Sequence, residues 1–172
     1  MSNPVRPPDG AGSSDSASRG RCMCVSVGAA SYGLPLENVQ EVIGVRPVTR
    51  VFHAPAVLAG IINLRGEVLP VLDLSRLLRS EASSSKQAEA RIVVVREASG
   101  LKRRAGLRVD ALLGLLDVPP QGLSVVPSSI SSSIRPLVVG VIPTSPPCAV
   151  LDIAALLSAQ ELSALAGSQL SE

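Results

Sequence analysis

Few side chains in this chain of 172 residues could carry out chemistry. It has one histidine, His53, and three cysteines, Cys22, Cys24 and Cys148. A metal site needs more ligands than that supply offers. On a strand Cys22 and Cys24 would share a face, and thiols of this kind usually pack as small buried groups in a reducing compartment. A Ser-His-Asp arrangement would have to use His53, but no serine stands in a Gly-x-Ser-x-Gly elbow. No phosphate loop or Gly-x-Gly-x-x-Gly run is present. The carboxylates Glu67, Asp73, Asp110, Asp117 and Asp152 are scattered, so spacing gives no acid–base pair. Lys102, Arg103, Arg104 and Arg108 form a basic run that reads as a solvated hairpin end. The expectation is a protein with no catalytic residues, no metal and no cofactor.

Composition narrows the class further. Hydrophobic residues make up 46 % of the chain, charged residues 17 % and aromatics 1 %. Disorder, collagen and a disulfide scaffold are excluded. So few aromatics also exclude modules that stack bases on rings, and a net charge of +2 points to no polyanion, so nucleic acid is not an expected partner. The apolar content must come from Val, Leu, Ile and Ala. Val and Ile favour strands, and fourteen Gly and fourteen Pro break the chain into short segments. Tyr32 and Phe52 are expected to be the only large rings in an aliphatic core. No secretory signal is visible in the first twenty residues, and apolar runs such as Leu137 to Ile142 are too short to span a bilayer. A cytoplasmic protein without membrane insertion is expected.

The pattern along the chain predicts a mainly β fold. Residues 1–20, rich in Ser, Pro and Gly, read as a disordered tail. Strands are predicted at Cys22–Val27, Ser31–Leu36 and Val39–Val45, with one helical turn at Glu37-Asn38. Gly60 to Leu74 reads as two strands about a tight turn ending in Gly66. Asp73 is placed to cap a short helix, Leu74 to Leu78. Further strands are expected at Arg91–Arg96, Ala105–Leu113, Leu115–Val118, Leu137–Ile142 and Cys148–Leu151. Asp152 then caps a helix from Ile153 to about Leu157, followed by a helical extension over 158–172. The repeated device of strand, Asp and apolar-x-x-Leu-Leu helix suggests an internal pseudo-repeat of two small barrels.

One stretch carries more information. Gly60-x-Ile-Asn-Leu-Arg-Gly-x-Val-x-Pro-Val-x-Asp-Leu resembles the signature of the CheW family of chemotaxis coupling proteins. Tyr32-Gly-Leu-Pro-Leu-Glu-Asn-Val-Gln-Glu-Val, Val48-Thr49-Arg50 with Pro55, Ala105-Gly-Leu-Arg-Val-Asp110, Gly140 and Val150-Leu-Asp152 are similar to its flanking motifs, in order. The resemblance covers about residues 21–157. It implies two intertwined five-stranded SH3-like β-barrels with short helices. It also implies a non-catalytic adaptor that couples a chemoreceptor's cytoplasmic tip to the regulatory domain of a CheA-type histidine kinase, at membrane-associated or cytoplasmic receptor arrays. The alternative is a stand-alone CheW-like module of another, non-flagellar signalling scaffold.

The same resemblance assigns residues. Arg65 falls at the receptor and signalling interface, and Val39, Glu41 and Ile92 at the receptor contact. Val39 and Glu41 are expected on one strand face, and Ile92 in the groove between barrels. Gly60, Asn63, Leu64, Gly66, Pro70 and Asp73 belong to the structural motif. The kinase-facing residues are not identified. Ser75 stands where the family commonly has Arg, and Arg108 where it has an apolar residue.

Overall fold

The computed structural model describes residues 20–80, 87–98 and 100–159. The predicted tail, apart from Gly20, and residues 160–172 of the predicted helical extension lie outside these. The described residues form ten strands: β1 (Arg21–Val27), β2 (Ala30–Pro35), β3 (Val39–Gly44), β4 (Leu58–Leu64), β5 (Glu67–Asp73), β6 (Arg91–Arg96), β7 (Arg104–Val109), β8 (Ala111–Asp117), β9 (Val138–Ile142) and β10 (Cys148–Leu151). A 3-10 turn at Leu36–Asn38 links β2 to β3. The short helix α1 (Leu74–Leu77) follows β5, and a second helix, α2 (153–159), follows β10. Both helices begin on the predicted aspartates. Asp73 Oδ1 accepts from the Ser75 and Arg76 amides, and Asp152 Oδ1 accepts from the Ala155 amide at 3.0 Å. These bonds satisfy amides that have no partner within the first helical turn. No helix among the described residues is long and apolar enough to cross a membrane.

The strands form two five-stranded sheets, in the orders β8-β1-β2-β10-β9 and β3-β6-β7-β5-β4. The second sheet takes its strands from one continuous stretch. The first joins β1 and β2 to β8, β9 and β10, so one barrel is assembled from two distant parts of the chain.

The pseudo-repeat extends to single residues. Across the first sheet, Cys24 pairs with Gly33, Gly33 with Val150, and Val150 with Gly140. Across the second, Val94 pairs with Gly106, Gly106 with Val71, and Val71 with Gly60. Both sheets have a parallel pair at the same place and a bulge in the same outer strand. Each also has an isolated bridge beside its glycine, Thr49 to Ile61 and Ser124 to Val141.

Three clusters fill the interior. The largest lies between the sheets, built from Val25, Val27, Tyr32 and Leu34 on one side and Leu72, Val93, Val95 and Leu107 on the other. Ile62, Leu64, Leu69, Val71, Ile92 and Val94 fill the inside of the second barrel. Cys22, Cys24, Ile142, Cys148 and Val150 fill the inside of the first. By register, Cys22, Cys24 and Cys148 stand where the other barrel has Ile92, Val94 and Leu69. The cysteines thus act as small apolar fillers. Cys24 Sγ lies 3.6 Å from Cys148 Sγ. Burial, then the contact with Cys24, pushes the Cys148 thiol up to about 12, and burial raises Cys22.

Several expectations are corrected here. Phe52 is not a core ring: it is 91 % exposed at the apex of a turn, while Tyr32 is buried. The boundary between β7 and β8 falls at Asp110, not Gly114, because Gly114 (φ +133°) lets β8 bulge and continue. The basic run is solvated only in part: Lys102 is exposed at the turn, but Arg103 is not. Arg103 is largely buried, donates to both oxygens of Glu97 and reaches Ser158 Oγ on α2 at 2.9 Å. The hydrogen bond from Arg103 holds the Glu97 carboxyl below its ordinary range.

Two outcomes follow from this packing. A Cβ on Gly60 would sit 2.5 Å from the Thr49 carbonyl oxygen, against backbone that cannot yield, whereas one on Gly44 meets nothing within 4 Å. Gly60→Ala should lower Tm by roughly 3–10 °C, and Gly44→Ala by less than about 2 °C, in thermal unfolding followed by circular dichroism. The three thiols should be unreactive toward Ellman's reagent in native protein at pH 8 and all react in denaturant. Rapid native labelling would contradict the buried placement.

A clasp at the mouth of the second barrel

The signature motif folds into the β4–β5 hairpin, where Leu64 pairs with Glu67 across a two-residue turn. Both turn residues have positive φ, Arg65 at +52° and Gly66 at +87°. A tight turn that matches strand twist requires this backbone. Gly66 adopts it freely. Arg65 is an uncommon choice, since a non-glycine residue held there costs about 1–3 kcal/mol. Asn63 secures the turn: its Oδ1 accepts from the Gly66 amide at 2.8 Å. Leu64 is buried inside the barrel. Pro70 sits in β5 just before the pairing with β7 begins at Val71, where its missing N–H breaks no rung of that ladder.

From this turn the Arg65 guanidinium reaches β3. Nη1 and Nη2 donate to Glu41 Oε1 and Oε2, each at 2.8 Å. This is the two-pronged geometry that an arginine fork makes with a carboxylate. The Arg65 side chain is 76 % exposed and that of Glu41 22 %. An exposed pair of this kind contributes at most about 1 kcal/mol, less than the strain at Arg65. The clasp therefore does little for stability. It presents a positioned, exposed guanidinium above a half-buried carboxylate.

The orientation of Glu41 depends on a bulge. Val39 pairs with Val95, whereas Glu41 pairs with Val94, so Gln40 is the extra residue. Val95 faces the core between the sheets and Val94 the barrel interior. Val39 and Glu41 consequently point to opposite faces, which corrects the one-face expectation. Val39 packs, half-buried, against the central core. Ile92 is 1 % exposed inside the barrel. It is core, and a partner docked outside could not touch it.

Three residues read separately in the sequence join the clasp. Arg104 donates to Gln40 Oε1 at 2.7 Å and pairs with Glu67. Two ion pairs thus gather at one mouth of the barrel, with Val68, 69 % exposed, beside them on the hairpin. Their common signal was the alternation of β5 and β7 side chains, but the register that brings them together is long-range. His53 lies on an exposed turn, whereas the three cysteines are buried. Among the described residues no group of three or more His, Cys, Asp or Glu is arranged to hold a metal ion.

Two fused SH3-like barrels with a polar clasp at one mouth are the architecture of a family of adaptor and scaffold proteins. The CheW-like domain family matches residues 21–161, and the chain belongs to it. A chemotaxis protein CheW of Rhizobium meliloti (strain 1021) is 33 % identical over 116 residues, 67 % of this chain and 72 % of that one. Protein FrzA of Myxococcus xanthus is 38 % identical over 96 residues, 56 % of this chain and 58 % of its own. The crystal structure of the scaffolding protein TtCheW from Thermoanaerobacter tengcongensis superimposes with a TM-score of 0.71 at 26 % identity, covering 81 % of this chain and 88 % of that one.

Because strain at Arg65 offsets the weak surface pair, Arg65→Gly should leave Tm unchanged or raise it by up to about 3 °C. Asn63→Ala, which removes the acceptor of the Gly66 amide, should lower it. A large loss of stability in Arg65→Gly would show instead that the clasp holds the fold.

Proposed function

We propose that this chain is a non-catalytic adaptor that couples the cytoplasmic tip of a chemoreceptor to the regulatory domain of a CheA-type histidine kinase. It works in the cytoplasm, at a membrane-associated or cytoplasmic receptor array. The observation that carries this reading is the Arg65–Glu41 clasp, a strained, exposed and two-pronged pair whose stabilisation is too small to account for its geometry. Family membership and the chemotaxis and scaffolding names of its relatives support the same reading.

The receptor-facing surface consists of Arg65, Glu41 and the half-buried Val39, with Val68 added and Ile92 left in the core. A receptor tip made of paired helices would lay an apolar side chain against Val68 and polar side chains against the clasp, with the half-buried Val39 holding β3 in place beneath them. Arginine is among the residues that most often carry contact energy. With no aromatic anchor here, single contacts are modest, and assembly of many copies supplies the avidity.

The test is reconstitution of the full chain with a receptor cytoplasmic fragment and a kinase from the same cell. Arg65→Glu should weaken the ternary complex by about tenfold and lower receptor-dependent kinase activity, with Tm nearly unchanged. The exchanged pair Arg65→Glu with Glu41→Arg separates two roles: recovery marks Arg65 as positioning Glu41, and no recovery marks direct contact. Unchanged complex and kinase activity in Arg65→Glu would overturn the assignment. Absence of any kinase binding by the wild type would favour a module of a non-flagellar scaffold.

A further inference from the structure

The opposite end of the second barrel carries a cationic cleft. β4 and β5 run between the two sites, so the cleft lies about 20 Å from the clasp. Its volume is about 330 Å³, and Arg50, Arg76 and Arg108 line it around a floor that includes Val48 and Leu58. Among the described residues Asp73 is the only carboxylate in the lining, and it is already engaged in capping α1 and receiving Ser75 Oγ at 2.5 Å. Arg76 is held as a wall, donating to the Ala56 carbonyl at 3.2 Å with its Nε 3.6 Å from Asp73. Arg50 and Arg108 have no hydrogen-bond or ion-pair partner among the described residues. Elsewhere in the fold, by contrast, Arg65, Arg103 and Arg104 each meet a carboxylate.

The fold does not dictate this charge. At the corresponding place on the first barrel Arg108 is replaced by Pro35, Asp73 by Asp152 and Ala59 by Val139, as the two registers show. The cleft there is lined by Glu37, Glu97 and Asp152, with no arginine. Two guanidinium groups without a partner among the described residues, Arg50 and Arg108, thus share one cleft at this barrel end. Beside them the turn Val51–Ala54, closed by the Ala54 amide on the Val51 carbonyl, raises Phe52 into solvent at 91 % exposure. Arginine and an aromatic side by side are what protein contacts use most for affinity. Guanidinium forks match carboxylates in pairs, and the aliphatic floor offers nothing to a small free anion.

We propose that this cleft docks an acidic, aliphatic-centred segment of a partner protein, its carboxylates on Arg50 and Arg108 and its apolar side chain on the floor next to Phe52. The site is separate from the clasp and does not rest on the receptor-coupling reading.

The test uses the full chain and a fluorescein-labelled peptide of sequence EEVLEE in fluorescence anisotropy, with KKVLKK and EEGGEE as comparison probes. EEVLEE should bind tightest, and its affinity should fall as salt rises. Arg50→Glu and Arg108→Glu should each weaken it by about tenfold, and Phe52→Ala by a smaller factor. Arg65→Glu should leave it within about twofold. Arg108 is half-buried, so the exposed Arg50 carries the test if Arg108→Glu does not fold. Equal binding of EEVLEE and KKVLKK, wild-type affinity in Arg50→Glu, or equal weakening by Arg65→Glu would each overturn the proposal. Full displacement by equimolar inorganic phosphate would overturn it in favour of a small-anion site. Self-association in sedimentation that Arg50→Glu removes would overturn it in favour of a second copy of this chain.

Discussion

Each barrel closes at a point where two backbones come closer than a side chain allows. At Gly60 the carbonyl of Thr49 occupies the space of a Cβ, and at Gly140 Leu123 and the Ser124 carbonyl do the same. These contacts fold the segment before each hairpin back onto the sheet, where it forms a single bridge. The mouth of the barrel, the loop that lifts Phe52 and the cleft beneath it all depend on that return. A glycine in the middle of a strand ordinarily weakens it. Here it is the condition for a sheet of five short strands to curl around a core of five or six small apolar side chains.

The two barrels share this frame and differ in what they hang on it. Both have a bulge in the outer strand, yet one places Glu41 there and the other Gly114. The clasp therefore exists on one barrel only. The inner row is Ile92, Val94 and Leu69 in one barrel and Cys22, Cys24 and Cys148 in the other. The thiols lie over Gly33, where a Cβ would meet Cys22, Cys148 and Val150 within 3.4 Å. The corresponding Gly106 lies under Ile92, Val71 and Leu69 in the same way, so each inner row packs over a glycine whether it is built of thiols or of aliphatic groups.

What could be read from the residues alone was local. Asp73 and Asp152 announce capped helices because their bonds reach only two or three residues ahead. Asn63 and Gly66 announce a tight turn for the same reason. The strand count and the two-barrel architecture followed from short aliphatic runs and the family signature. What could not be read depended on register. The bulge at Gln40 turns Glu41 away from the face of Val39, and no pattern in β3 reveals it. The burial of Arg103 depends on Glu97 and on Ser158, which is fifty-five residues away in sequence. Phe52 shows the limit of inferring burial from apolarity, since apolar residues are common on protein surfaces as well as within them.

The split barrel has a consequence for biosynthesis. β1 and β2 are made before the other strands, but their partners β8 and β10 begin only at Ala111 and Cys148. The continuous barrel can form while the early hairpin still waits, with one face of Val25, Val27 and Leu34 and another of thiols uncovered. Such long-range closure is slow and leaves strand edges open to wrong pairing. The last strand to arrive, β10, enters between β2 and β9 and completes the sheet. Without β10 the chain would lack the strand that joins β2 to β9, and the first sheet would stay open at its centre.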